Sequence, residues 1–280
     1  MLVVIAGIVL MLYPYISEYF FENRVDSEIM AYKECINKTV DQQYQRMLEQ
    51  AEEYNSYLQK SQMQLTDPFA NTGGTEEQPV YESLLRVDDS GIIGYVEIPT
   101  IGVKLPVYQG TSAGDLERGV GHLKGSSLPV GGKGTHAVLT GHTGLSQAKL
   151  LSDLTEMKEG DVFYIYVLGR QLAYEVYATS VVLPEDTEQL RIEKDKDLVT
   201  IVTCTPYGIN THRLFVHGKR IPFSEPQYQK ELSKTPVTLN SKWRSAYGRA
   251  LLAGGMFAVC LIVLLVLDIR KIIGVMLVII

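Results

Sequence analysis

Apolar residues crowd both ends of the chain, and the stretch between them turns from a helical to a strand period. Residues 1–17 begin MLVVIAGIVLMLYPYI, almost uncharged and slightly short of the roughly 20 residues a spanning helix needs. The run lacks the positive start and small-residue cleavage site of a secretory signal peptide, so it reads as a membrane anchor. Residues 250–267 hold a stronger candidate span, LLAGGMFAVCLIVLLVL, which stops at Asp268, Arg270 and Lys271. Residues 268–280 then form a cytoplasmic or second hydrophobic tail. Lys242, Arg244 and Arg249 flank this span on its other side, so basic residues alone leave its orientation open.

Residues 22–63 are polar, with apolar positions at Val25, Ile29, Tyr32, Ile36, Val40, Tyr44, Met47, Ala51, Tyr54 and Leu58. That spacing predicts one amphipathic helix or two in sequence. Residues 64–80 read as a loop around Asp67-Pro68-Phe69, where proline ends any helix. On spacing alone the tripeptide is only a turn. Residues 81–224 form a β domain, with strand-like runs at 92–98, 103–107, 135–140, 162–168, 172–183, 198–204 and 213–221. Short helices are expected near 115–118 and 146–153. Many strands with few helices predict a mainly β, closed or nearly closed barrel, and residues 225–249 then read as a linker.

The net charge of -6, with no Lys/Arg stripe, argues against nucleic acid. Cys35, Cys204 and Cys260 lack disulfide or C-x-x-C metal spacing. The acidic pairs Asp88-Asp89 and Glu185-Asp186 fit no calcium pattern. Gly131-Gly-Lys-Gly-Thr135 lacks the form of a phosphate loop. No cofactor or metal is called for. A single Cys in the globular part, Cys204, is either an inert packed residue or a nucleophile.

The run ending at Cys204 and the run from Arg213 are both apolar and are joined by a short, turn-rich link, which predicts an antiparallel hairpin. Pairing would return Arg213 to Cys204, leaving a thiol poised rather than buried beside a guanidinium. Thiol attack on an amide also needs a base that later becomes an acid, and fixed donors for an oxyanion. Five histidines compete for the role of base. His136 and His217 lie within strands and read as packing or surface residues, and His122 fits a turn at least as well. Alternation aims His212 at the face opposite Arg213. His142 follows a strand at Gly141-His142-Thr143-Gly144, exposed, and is the best candidate.

Thr200-Ile-Val-Thr-Cys204 resembles the sortase signature Thr-Leu-x-Thr-Cys. Gly141-His142 after a strand and the downstream Arg213 complete that family's order over about residues 90–222. The resemblance extends to class C, or pilin-assembling, sortases. It rests on the Asp67-Pro68-Phe69 motif after a helical segment, the run Cys204 through Arg213, the stretch 121–136, and the second hydrophobic segment. Thr143 departs from the pattern, since many members carry Arg there.

The resemblance implies a barrel of about eight strands, with Cys204, His142 and Arg213 as catalytic residues. It also implies a lid with Asp67 near Arg213 and Phe69 over Cys204, held by a surface ion pair of about 1 kcal/mol or less. The activity implied is cleavage of LPxTG-like signals on pilin subunits through a thioacyl intermediate, resolved by an acceptor Lys. The enzyme would sit in the membrane, facing outward, of a Gram-positive bacterium. A housekeeping sortase that anchors proteins to the wall is the alternative within the family. Outside it stand a papain-like hydrolase, which would need an Asn or Asp orienter, and an anchored non-catalytic β domain. A sorted wall protein is ruled out, because no LPxTG precedes the tail.

Overall fold

A computed structural model describes residues 2–39, 41–61, 65–69, 79–143, 148–238, 249 and 252–256. Two compact units partition the chain: residues 12–237, and residues 1–11 together with 238–280. In the second unit, residues 2–11 and 252–256 are helical.

The helical period before the β domain yields two helices, α1 (Leu2–Lys38) and α2 (Asp41–Ser61). α1 runs unbroken from the apolar start into the polar stretch, where Glu18 and Glu22 end its apolar character. No helix among the described residues is long and apolar enough to cross a membrane. Residues 257–280, with most of the C-terminal apolar run, lie outside the described residues. Val25, Ile29 and Tyr32 of α1 and Met47, Ala51, Tyr54 and Leu58 of α2 are buried against the β domain. The Tyr32 hydroxyl donates to the Ile93 carbonyl (3.1 Å) and accepts from the Leu168 amide (2.9 Å). The Asn55 amide bonds both backbone groups of Leu128, at 3.0 and 2.7 Å.

A short helix, α3 (Pro79–Ser83), precedes strands β1 (Ile92–Ile98) and β2 (Val103–Gln109). Helix α4 (Ala113–Arg118) leads to β3 (Val120–His122) and β4 (Thr135–Thr140). Strands β5 (Val162–Val167), β6 (Arg170–Val182), β7 (Asp197–Thr205) and β8 (His212–Ile221) follow. The eight strands close a barrel in the order β1-β2-β3-β4-β7-β8-β6-β5. β3 was not expected as a strand: three residues are too few to show alternation, and only pairing with β2 and β4 defines it.

The helix expected over 146–153 is absent where residues are described. Residues 150–153 are turns, with Leu150 at φ 41°, and a 3-10 turn follows at Leu154–Glu156. The stretch expected as a linker opens with helix α5 (Glu225–Leu232), whose Tyr228 donates to Glu97 (2.9 Å) and packs on Tyr164.

β7 is buried along nearly its whole length because both of its faces are covered. Val199 and Ile201 point into the barrel core. Alternation sends Thr200, Val202 and Cys204 to the outer face. There Val202 joins Val138 of β4, Phe215 of β8, Leu123, Val182 and Leu190 in a separate apolar cluster. Leu65 and Phe69 pack onto that cluster from above.

Candidate active site

Three neighbouring strands deliver the candidate residues to one end of this outer face. β7 and β8 are antiparallel with Cys204 opposite Arg213, as the hairpin required. β4 runs parallel to β7 with Thr140 opposite Val202, so the same register continued two residues brings His142 level with Cys204. Two bonds fix that step beyond β4. The Gly141 amide donates to the Val202 carbonyl (3.1 Å), and the Thr203 hydroxyl donates to the Gly141 carbonyl (2.8 Å). A side chain at Gly141 would meet Leu151 and Val120 at 2.9 Å, so the turn carrying His142 needs glycine.

Arg213 is held on three sides. Its Nη1 donates to the carbonyls of Asn210 and His212, both at 3.1 Å. Its Nε and Nη2 form a fork onto the Asp67 carboxylate, at 2.8 and 2.7 Å. The Phe69 ring contacts both flanking groups: its centroid lies 5.6 Å from that of His142 and 5.1 Å from the Arg213 Cζ. Pro68 between them is buried.

Residues 65–69 correct three expectations. Cys204 is buried, at 8% exposure, rather than open. His142 is half-buried rather than exposed. The Asp67–Arg213 pair is no surface contact, since its side chains are only 9% and 12% exposed. Loss of one partner of so buried a pair leaves an unpaired charge, which costs about 3–5 kcal/mol.

Burial pushes the Cys204 thiol up; the Arg213 guanidinium pulls it back down, and Asp67 adds to the rise. Burial pulls the His142 imidazole below its ordinary value, with a smaller opposing effect from Glu117. Both groups are thus driven toward their neutral forms, a thiol and an imidazole. The Asp67 contact raises the Arg213 pKa, so the guanidinium stays charged.

The other histidines lie elsewhere. His122, for which a turn role stood at least level with a catalytic one, is fully buried in β3: its Nε2 lies 2.8 Å from the Ser127 carbonyl and its Nδ1 2.8 Å from the Tyr81 hydroxyl. With both nitrogens engaged it is a satisfied core residue. His212 sits opposite Thr205 and bonds the Thr211 hydroxyl (2.9 Å). His136 and His217 are buried on the outer face, and both bond the Thr200 hydroxyl, at 2.7 and 2.9 Å. Packing or a surface place had been expected for these two, and of these the structure shows packing, with a hydroxyl shared between them. Their signal lay in the signature itself, whose Thr200 makes both of these contacts while its Thr203 bonds the Gly141 carbonyl.

Residues 96–221 match the sortase domain family. The chain is 44% identical to the crystal structure of sortase C-1 from Actinomyces oris, over 65% of this chain and 99% of that one, with a TM-score of 0.61. It is 41% identical to sortase C1 from Streptococcus agalactiae, over 71% of this chain and 100% of that one, with a TM-score of 0.66. Sortase D of Bacillus subtilis (strain 168) is 28% identical over 155 residues, 54% of this chain and 75% of that protein. With this barrel, this signature and these relatives, the chain belongs to the sortase family of cysteine transpeptidases, in its class C group.

Proposed function

We propose that the chain cleaves an LPxTG-like sorting signal and joins pilin subunits through isopeptide bonds. Cys204 attacks the carbonyl carbon of the signal's Thr–Gly bond. The thiol proton passes to His142 and from there to the leaving glycine amine, which leaves a thioester on Cys204. A lysine amine of the next subunit then attacks the thioester carbonyl. Its proton returns through His142 to the departing sulfur, and the new amide is the isopeptide link. Arg213 orients the signal and donates to the oxyanion, for which its planar fork is suited.

In the arrangement described, that fork is occupied by Asp67, and Phe69 covers the space beside His142. Residues 65–69 therefore act as a lid that must leave before substrate enters. The observation that carries this reading is the convergence of Cys204, Arg213 and His142 on one outer-face rim under Asp67 and Phe69. Attachment to the membrane through 1–17 and 250–267, with the barrel on the outer face of a Gram-positive cell, rests on hydropathy and on the family's substrates.

The test uses the full chain in detergent, incubated with an LPxTG peptide and a lysine-bearing acceptor. Cleavage and a peptide–acceptor product are expected, and Cys204→Ala should abolish both while retaining the fold. Activity that persists in that variant would remove Cys204 from the mechanism.

A further inference from the structure

The outer face of β4, β7 and β8 changes character along its length. At one end lie Cys204 and Arg213, in the middle Val138, Val202 and Phe215, and at the far end His136, Thr200 and His217. Four residues of strand separate Cys204 from Thr200, about 13 Å. Along this floor stands a wall, residues 187–191, from the connection between β6 and β7. Leu190 of the wall is buried in the apolar cluster, and the Thr187 hydroxyl donates to the Leu65 carbonyl (3.0 Å) at the root of the lid. A cavity of about 700 Å³ adjoins the wall, lined by Leu58, Leu65, Ser126, Thr187, Leu190 and Arg191 among others, so packing alone does not seat it.

Polar tethers from the floor do. His136 Nδ1 lies 2.8 Å from the Arg191 carbonyl, and His217 Nε2 lies 3.2 Å from the end of the Gln189 side-chain amide. The carbonyl only accepts, so His136 carries its proton on Nδ1 and presents a bare Nε2 to Thr200. Thr200 spends its one hydroxyl proton there, and its oxygen accepts from His217 Nδ1–H, which leaves His217 Nε2 bare to accept from the Gln189 amide NH2. Each ring is thereby fixed in tautomer and in plane by the same hydroxyl. Burial holds both imidazoles below their ordinary values, in keeping with two neutral rings.

We propose that Thr200 is a positioning residue: by orienting His136 and His217 it sets the 187–191 wall of the substrate groove and, through Thr187, the root of the lid. The lid, and the reading of this outer face as the substrate groove, rest on the function proposed above, and the test separates that function from this role of Thr200. Alkylation of Cys204 by iodoacetamide is followed against pH in the full chain, for Thr200→Val, Thr200→Ser, Thr187→Val and the double valine variant.

Each valine variant should raise the plateau labelling rate about tenfold, the equivalent of one lost buried hydrogen bond, without moving the pH midpoint. Thr200→Ser should label like the parent. Because both threonines act through one wall, the double variant should label no faster than the faster single. On an LPxTG peptide, Thr200→Val should raise KM with kcat little changed. Parental labelling in Thr200→Val, or multiplicative rates in the double variant, would overturn the proposal. Should Thr200→Val fail to fold, Gln189→Leu, on the wall itself, replaces it with the same expectation. Failure of the unaltered chain to cleave peptide would count against the proposed function only, since the labelling rates need no substrate.

Discussion

Two charges of opposite sign act on the Cys204 thiol: Arg213 lowers its pKa and Asp67 raises it, on top of the rise from burial. Removal of Asp67 takes away the opposing charge and frees the guanidinium for the sulfur. Asp67→Ala should therefore shift the pH midpoint of Cys204 alkylation downward and speed labelling at neutral pH. Phe69→Ala should also speed labelling, by opening the space above the thiol. An unchanged rate in both variants would mean that residues 65–69 do not gate the site. Arg213 itself shows what spacing along the chain reveals: two apolar runs and a short link sufficed to place it opposite Cys204. The Asp67 contact was not legible in this way. It joins residues 146 apart in sequence, and locally Asp-Pro-Phe is only a turn. Its burial was equally hidden, because that depends on Leu65 and Phe69 settling on a cluster drawn from several strands.

At the scale of elements, the three-and-four spacing of 22–63 did specify helices, since Val25, Ile29, Tyr32, Met47, Ala51, Tyr54 and Leu58 are buried on α1 and α2, with Ile36 and Tyr44 half-buried. Strand β3 escaped notice because a three-residue strand carries no period and is held by its neighbours' ladders. Clasps between elements were equally hidden, among them the Tyr32 hydroxyl that joins α1 to the backbone at Ile93 and Leu168. Tyr32→Phe leaves the buried Leu168 amide unpaired and should cost about 2 kcal/mol in denaturant unfolding. A loss near zero would show that α1 contributes little to the fold of the barrel unit. Closer to the chemistry, Thr203→Val removes the bond that seats Gly141 and hence His142. It should lower kcat on peptide more than it raises KM, and Thr203→Ser should restore the rate.

For the whole molecule, three histidines are buried, His122 in β3 and His136 and His217 on the outer face, and this sets its response to acid. Burial depresses His122 to about 4, and His217 likewise to about 4. In the unfolded chain a histidine titrates near 6.5, so from pH 6.5 down to about 4 the unfolded state binds more protons. Stability is then complete above pH 6.5 and falls through that window as pH is lowered. The full shift at His122 corresponds to about 3 kcal/mol. His122→Gln should reduce the pH slope of unfolding free energy near pH 5 by about 1 kcal/mol per pH unit, and an unaltered slope would contradict the burial described. The barrel as a class was legible from many strands and few helices. Which histidines it would seal in was not, because a strand pattern fixes alternation but not what covers each face.

The central claim is that Cys204 forms a thioester with a sorting signal beneath a lid held by Asp67. Intact-protein mass spectrometry of the full chain carrying Asp67→Ala, after brief exposure to an LPxTG peptide without acceptor, tests it most directly. The account predicts an added mass equal to the peptide's acyl fragment through its threonine (the free acid less one water), mapped to Cys204, released by an amine nucleophile and absent from the Asp67→Ala/Cys204→Ala double variant. No adduct alongside intact peptide, or an adduct that survives in the double variant, would contradict it.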